Sequence, residues 1–113
     1  MSFVLEEKDR YAVLHLKGRL DATTSPALDE KIEELLKKKH LRLLVDFAQV
    51  DYLSSAGLRF LLSATKRYKA KDGAIVLYSI ADEVMEIIKM AGFEKILKIA
   101  PNEKQALGDL LGA

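Results

Sequence analysis

The sequence predicts an α/β fold, a single mixed sheet of four to five strands with an N-terminal antiparallel hairpin, otherwise mainly parallel and packed with about four helices. Three observations carry this expectation. Apolar and polar residues alternate near the N-terminus, a nearly continuous apolar run lies at Leu43-Leu44-Val45, and stretches with helical spacing alternate with short strand-like runs.

Phe3 to Leu5 and Tyr11 to Lys17 alternate around the turn-like Lys8-Asp9-Arg10, which predicts a hairpin. From Ser25-Pro26, Leu28, Ile32, Leu35 and Leu36 recur at helical spacing. Proline suits the first turn, and acids precede Lys37-Lys38-Lys39 in the order the helix dipole favours. Leu41 to Phe47 reads as a central strand covered on both faces. Leu58, Leu61, Leu62 and Thr65 predict the inner face of a second helix, running to about Lys69 before Lys71-Asp72-Gly73 breaks it. Ala74 to Tyr78 is a short strand. Val84, Ile87, Ile88 and Ala91 mark a third helix, closed by Gly92 in a left-handed cap. Ile96 to Ile99 is expected to add an edge strand. Beyond Pro101-Asn102, the residues Ala106, Leu107, Leu110 and Leu111 predict a closing helix.

With 113 residues, 50% of them hydrophobic, one domain spanning 1–113 with one core is expected. The 18 basic residues nearly balance the 17 acidic ones, so the excess of positive charge that attracts nucleic acid is missing. No cysteine is available for a disulfide or a thiolate metal site. The stretch Met1-Ser2-Phe3-Val4-Leu5-Glu6-Glu7 is unlike a signal peptide, and no apolar run is long enough to span a bilayer. A cytoplasmic protein without membrane contact is expected.

The most informative stretch is Asp46 to Arg59, read as the link from the central strand to the second helix. If Ser54 caps that helix by accepting the amide hydrogen of Ala56 or Gly57, Ser55 becomes the first helical residue and keeps a free hydroxyl. Helical projection then places Ser54 in line with Leu58 and Leu61 and turns Ser55 outward toward Arg59 and Lys66. Backbone amides and the positive dipole end would accommodate a phosphate on Ser55, whereas an apposed partner would have to desolvate it. Ser-Ser at a helix start is also ordinary capping chemistry. Phe60 is expected one turn further on the outward face, beside Arg59, Ser63 and Arg67, as a docking anchor or as cover for a loop.

Gly18-Arg19-Leu20-Asp21 ahead of a helix, then Leu44-Val45-Asp46-Phe47, then Leu53-Ser54-Ser55-Ala56-Gly57-Leu58, resemble the STAS family of anti-sigma factor antagonists. Ala91-Gly92-Phe93-Glu94-Lys95-Ile96 extends the likeness over essentially the whole chain. The resemblance implies the STAS fold and phosphorylation of Ser55. The kinase it implies is an anti-sigma factor that is also a serine kinase with a histidine-kinase-like ATP fold. It further implies that the unphosphorylated protein binds this anti-sigma factor and frees the sigma factor, and that a PP2C-type phosphatase restores binding. Asp21, Thr23, Ser54, Ser55, Ala56, Arg59 and Phe60 form the implied partner-binding set. From the residues alone, Asp21 can equally support Thr23, Thr24 and Ser25 as caps of the first helix. Two positions depart from the family pattern: Ser54 replaces a common Asp, and Ala56 a common Ser or Thr.

Catalytic machinery is not legible. Gly-x-Ser-x-Gly, HExxH, P-loop and GxGxxG patterns are missing, and His15 and His40 stand apart. No cofactor is expected. The alternative reading within the same resemblance is a scaffold or ligand-sensing STAS domain, in which the helix start receives a nucleotide, lipid or partner helix without covalent change.

Overall fold

A computed structural model of the protein describes residues 2–112. Its elements are β1 (Ser2–Glu7), β2 (Ala12–Leu20), α1 (Ser25–Lys37), β3 (Arg42–Leu53), α2 (Ser55–Ala70), β4 (Ala74–Tyr78), α3 (Asp82–Met90), β5 (Ile99–Ala100) and α4 (Glu103–Gly112). The five strands form one sheet in the order β1-β2-β3-β4-β5. Only the β1–β2 pair is antiparallel; β2–β3, β3–β4 and β4–β5 are parallel.

This order decides where the helices go. Each parallel strand adds to the same side of its predecessor, and crossovers of one preferred hand then deliver every connecting helix to one face. Accordingly Leu28, Ile32 and Leu35 of α1, Leu58, Leu61 and Tyr68 of α2, and Val84 and Ile88 of α3 share a core with Leu14, Leu43, Val45 and Leu77 of the sheet. Following the last strand, α4 is free of that constraint. It covers the opposite face, where Ala106 and Leu110 pack with Val13, Leu44, Val76 and Tyr78. The run Leu43-Leu44-Val45 is apolar because α1–α3 cover one side of it and α4 the other.

Three expectations are corrected. Phe60, read as an outward-facing anchor, is 5% exposed and belongs to the α1–α3 core. α2 packs against α1 as well as on the sheet, so its apolar face is wider than one stripe. Second, Asp46 to Leu53 is strand and not a link, because β2 runs on to Leu20 and pairs with β3 as far as Leu53. Two register shifts, between His15 and Lys17 and between Gly18 and Arg19, break the alternation that identifies strands. Gly18 has the positive φ of 99° that one irregularity needs, and the Ala48 N–H donates to Asp46 Oδ1 at 2.9 Å beside the other. Third, the edge strand is only Ile99–Ala100, since the amides of Ile96 and Leu97 both donate to the Phe93 carbonyl in a tight turn. Gly92 does close α3 with a φ of 78°.

On the α4 side, beyond the helix, His15 links three strands. Its Nδ1 lies 2.7 Å from Asp46 Oδ2 of β3, and its Nε2 contacts Glu6 Oε1 of β1. Partial burial favours the neutral ring, but the hydrogen bonds to Asp46 and Glu6 outweigh it and raise the pKa above the ordinary 6.5. A raised folded-state value means that the added stability is complete below the unfolded-state value and is lost as pH rises through the folded one. The difference in melting temperature between the protein and His15→Gln is therefore expected to be largest near about pH 6 and to shrink toward about pH 9. A gap that widens with pH would contradict the bridging role.

Candidate functional site

The carboxyl ends of the parallel strands β2 and β3 meet the start of α2, the edge of an α/β sheet where ligands and partners commonly dock. β3 ends at Leu53. The Ser54 amide then donates to the Leu20 carbonyl at 3.0 Å, which ties the mouth of α2 to the end of β2 and sets Asp21 next to it. Ser54 is extended (φ −90°, ψ 175°), and its Oγ accepts the Gly57 N–H at 3.2 Å, so it caps the helix as its side-chain chemistry predicts. With Ser54 so engaged, Ser55 is the first helical residue and is exposed. Among the described residues no hydrogen bond to its hydroxyl is found. Ala56 is half-buried and Arg59, one turn on, is exposed.

Gly57 sets how closely α2 approaches the sheet. A Cβ there would stand 2.5 Å from the Leu20 carbonyl oxygen and 2.8 Å from Leu53 Cδ1. Only a residue without a side chain lets the helix start press against the end of β2 and hold Ser54 and Ser55 at the rim.

Asp21 follows β2 directly. Its Oδ1 accepts the Thr23 hydroxyl at 2.6 Å and the Thr23 amide at 3.0 Å, and these two bonds hold its carboxyl below the usual range. Thr23 thus serves the Asp21 turn and not the helix. Thr24, at the N-cap of α1, makes no side-chain cap, and the Ser25 hydroxyl donates to the Asp21 carbonyl at 2.7 Å. The expected capping of α1 by these side chains is therefore replaced by a turn folded around Asp21.

The structure gathers Asp21, Thr23, Ser54, Ser55, Ala56 and Arg59 at this end of the sheet and removes Phe60 to the core. In its place it offers Tyr52, 39% exposed, which sequence reasoning passed over. The Arg19 guanidinium lies 4.1 Å from the centre of its ring, and Arg19 Nε is 3.6 Å from Asp21 Oδ2. The signal was present: with Asp46 to Leu53 read as strand, a buried Leu53 puts Tyr52 on the other side. The α2 surface turned toward Ser55 is basic through Arg59, and the first turn of α2 contains no acidic residue.

A family model described as STAS domain matches residues 2–106. The chain belongs to the STAS domain family. An anti-sigma-B factor antagonist of Listeria monocytogenes is 26% identical to this STAS chain over 110 residues, covering 96% of each protein. The anti-sigma factor antagonist SpoIIAA in its unphosphorylated form superposes with a TM-score of 0.83 at 21% identity, covering 99% of this chain and 98% of that one. SpoIIAA of Bacillus in the phosphorylated form has a TM-score of 0.73 at 19% identity, covering 96% and 98%. These likenesses show the STAS fold. No helix among the described residues is long and apolar enough to cross a membrane.

Proposed function

We propose that this STAS protein is an anti-sigma factor antagonist of the cytoplasm, a binding module and not an enzyme, whose docking is switched off by a phosphate on Ser55. The observation that carries the reading is the division of labour at the start of α2: Ser54 caps the helix, and Ser55 is exposed with its hydroxyl uncommitted. The names of the relatives support the class of partner, an anti-sigma factor. A structural relative that exists in phosphorylated and unphosphorylated forms supports the switch.

The residues divide the work as follows. Asp21, held rigid by Thr23, and the Arg19–Tyr52 pair flank the serine and meet the partner. The kinase is an anti-sigma factor with a histidine-kinase-like ATP fold, and it transfers the γ-phosphoryl group of ATP to Ser55 Oγ. A PP2C-type phosphatase reverses the modification. The fold tolerates the phosphate because the first amides of α2 and its dipole face it, with Arg59 four residues on as a cation. Phosphate therefore acts on docking and leaves folding intact.

Incubation with a cognate anti-sigma factor kinase and ATP, followed by mass spectrometry, tests this. One added phosphate mapped to Ser55, with loss of partner binding, is the expected result. Retained binding without any phosphate would overturn the switch and favour a scaffold STAS domain. Tyr52→Ala is expected to weaken docking about tenfold with little change in melting temperature, since Tyr52 is 39% exposed and its ring stacks on Arg19. Titration calorimetry against the same partner reads that change, and unaltered affinity would remove Tyr52 from the interface.

A further inference from the structure

At the far end of α2, about 15–20 Å from Ser55 at 1.5 Å per residue, lies a cavity of about 260 Å³. Thr65 and Lys69 of α2, the start of β4, and the segment Lys95 to Lys98 line this open cleft. Its walls are fixed. The Leu77 amide donates to the Lys98 carbonyl at 2.9 Å, buried Leu97 anchors the segment, and the Gly73 and Ala74 amides are held by the Tyr68 and Leu41 carbonyls at 2.7 and 2.9 Å.

The lining combines two chemistries. Lys69, Lys95 and Lys98 supply three cations with no carboxylate among the lining residues. None of the three forms an ion pair among the described residues, although Lys8, Lys31 and Lys38 elsewhere do. The apolar floor of the cleft comes from the lining residues Ile75 and Leu97, both buried, and from Ile96, which is 52% exposed. Three cations without a carboxylate beside them make the cleft attractive to an anion.

We infer that this cleft binds a small phosphate monoester with a compact apolar or planar body, at a site separate from the Ser55 surface. The phosphate carries close to two negative charges at neutral pH and takes hydrogen bonds from several ammonium groups at once, while the body covers Ile75 and Ile96. The volume lies just below the usual small-molecule range, which suits a compact ligand and excludes a long acyl chain. The Thr65 hydroxyl is the neutral donor or acceptor of the site.

Phenyl phosphate is the probe, titrated into the full chain while backbone amide resonances are followed. Saturable shifts at residues 65–75 and 95–98 are expected, weakened about tenfold or more in the Lys95→Gln, Lys98→Gln double variant. Both lysines are exposed, so amide resonances elsewhere stay in place; Lys69→Gln, on a different element, supplies an independent loss. Three controls can overturn the inference. Phenol binding equally well would make the lysines irrelevant, inorganic phosphate binding equally tightly would make the apolar floor irrelevant, and undiminished binding in the variants would move the site elsewhere. Vesicles containing phosphatidic acid distinguish a lipid headgroup from a free ester: capture by vesicles without phenyl phosphate binding refutes a small soluble ligand.

Discussion

Ser55→Glu is expected to weaken binding to the anti-sigma partner by about a hundredfold, whereas Ser55→Ala binds at least as tightly as the unmodified protein and no longer responds to kinase and ATP. The magnitude follows from desolvation. A carboxylate placed unpaired in a closed interface costs roughly 3 kcal/mol, and each 1.4 kcal/mol is a factor of ten in affinity. Glutamate carries one charge where phosphoserine carries nearly two, so the variant gives the lower bound of the switch. Neither change should disturb the fold, because Ser55 is exposed and the cap belongs to Ser54, whose Oγ accepts from Gly57 at 3.2 Å. Surface plasmon resonance with immobilised partner, alongside melting curves, measures both quantities. Equal affinity for serine, alanine and glutamate would refute the mechanism.

The contrast between the two serines was legible in the sequence because capping is local chemistry. A hydroxyl ahead of a helical stripe has an amide two or three residues away to accept from, and no distant residue is needed to decide the matter. The alternation of strands and helices was legible for a similar reason, since hydrophobic period identifies each element within a few residues. Neither advantage extends to Asp46 to Leu53. That stretch exposes Ala48, Gln49, Asp51 and Tyr52 and buries only Phe47, Val50 and Leu53, a spacing that is not a strand's. It is a strand because β2 pairs with it through two register shifts, information held by the partner strand. The outward turn of Tyr52 follows once that stretch is read as strand, whereas its stacking on Arg19 depends on the same pairing with β2. The His15 bridge to Glu6 and Asp46 likewise arises from pairing across three strands, 9 and 31 residues apart in the chain.

Phe60→Ala is expected to destabilise the protein by roughly 3–5 kcal/mol, a large part of the whole stability of a domain this size, and to affect docking only through unfolding. Helical projection of α2 alone sets Leu58 and Leu61 inward and Phe60 on the outward face, where truncation would cost little. The tertiary arrangement changes that outcome. α2 packs on the sheet and against α1, and Phe60 is one of the residues of the core that α1, α2 and α3 share. Arg67 draws α1 and α2 together from the surface, its guanidinium 2.6 Å from Asp29 and 2.8 Å from Glu33. Phe60, 5% exposed, therefore fills space within the shared core, and removing its ring leaves a cavity that the rigid sheet cannot collapse to fill. Urea unfolding separates the two accounts: a midpoint shifted sharply downward, with partner affinity of the folded fraction unchanged, supports the buried assignment. An unchanged midpoint with lost affinity would mean that Phe60 faces the partner after all, and that the packing of α2 against its neighbours is wrongly described.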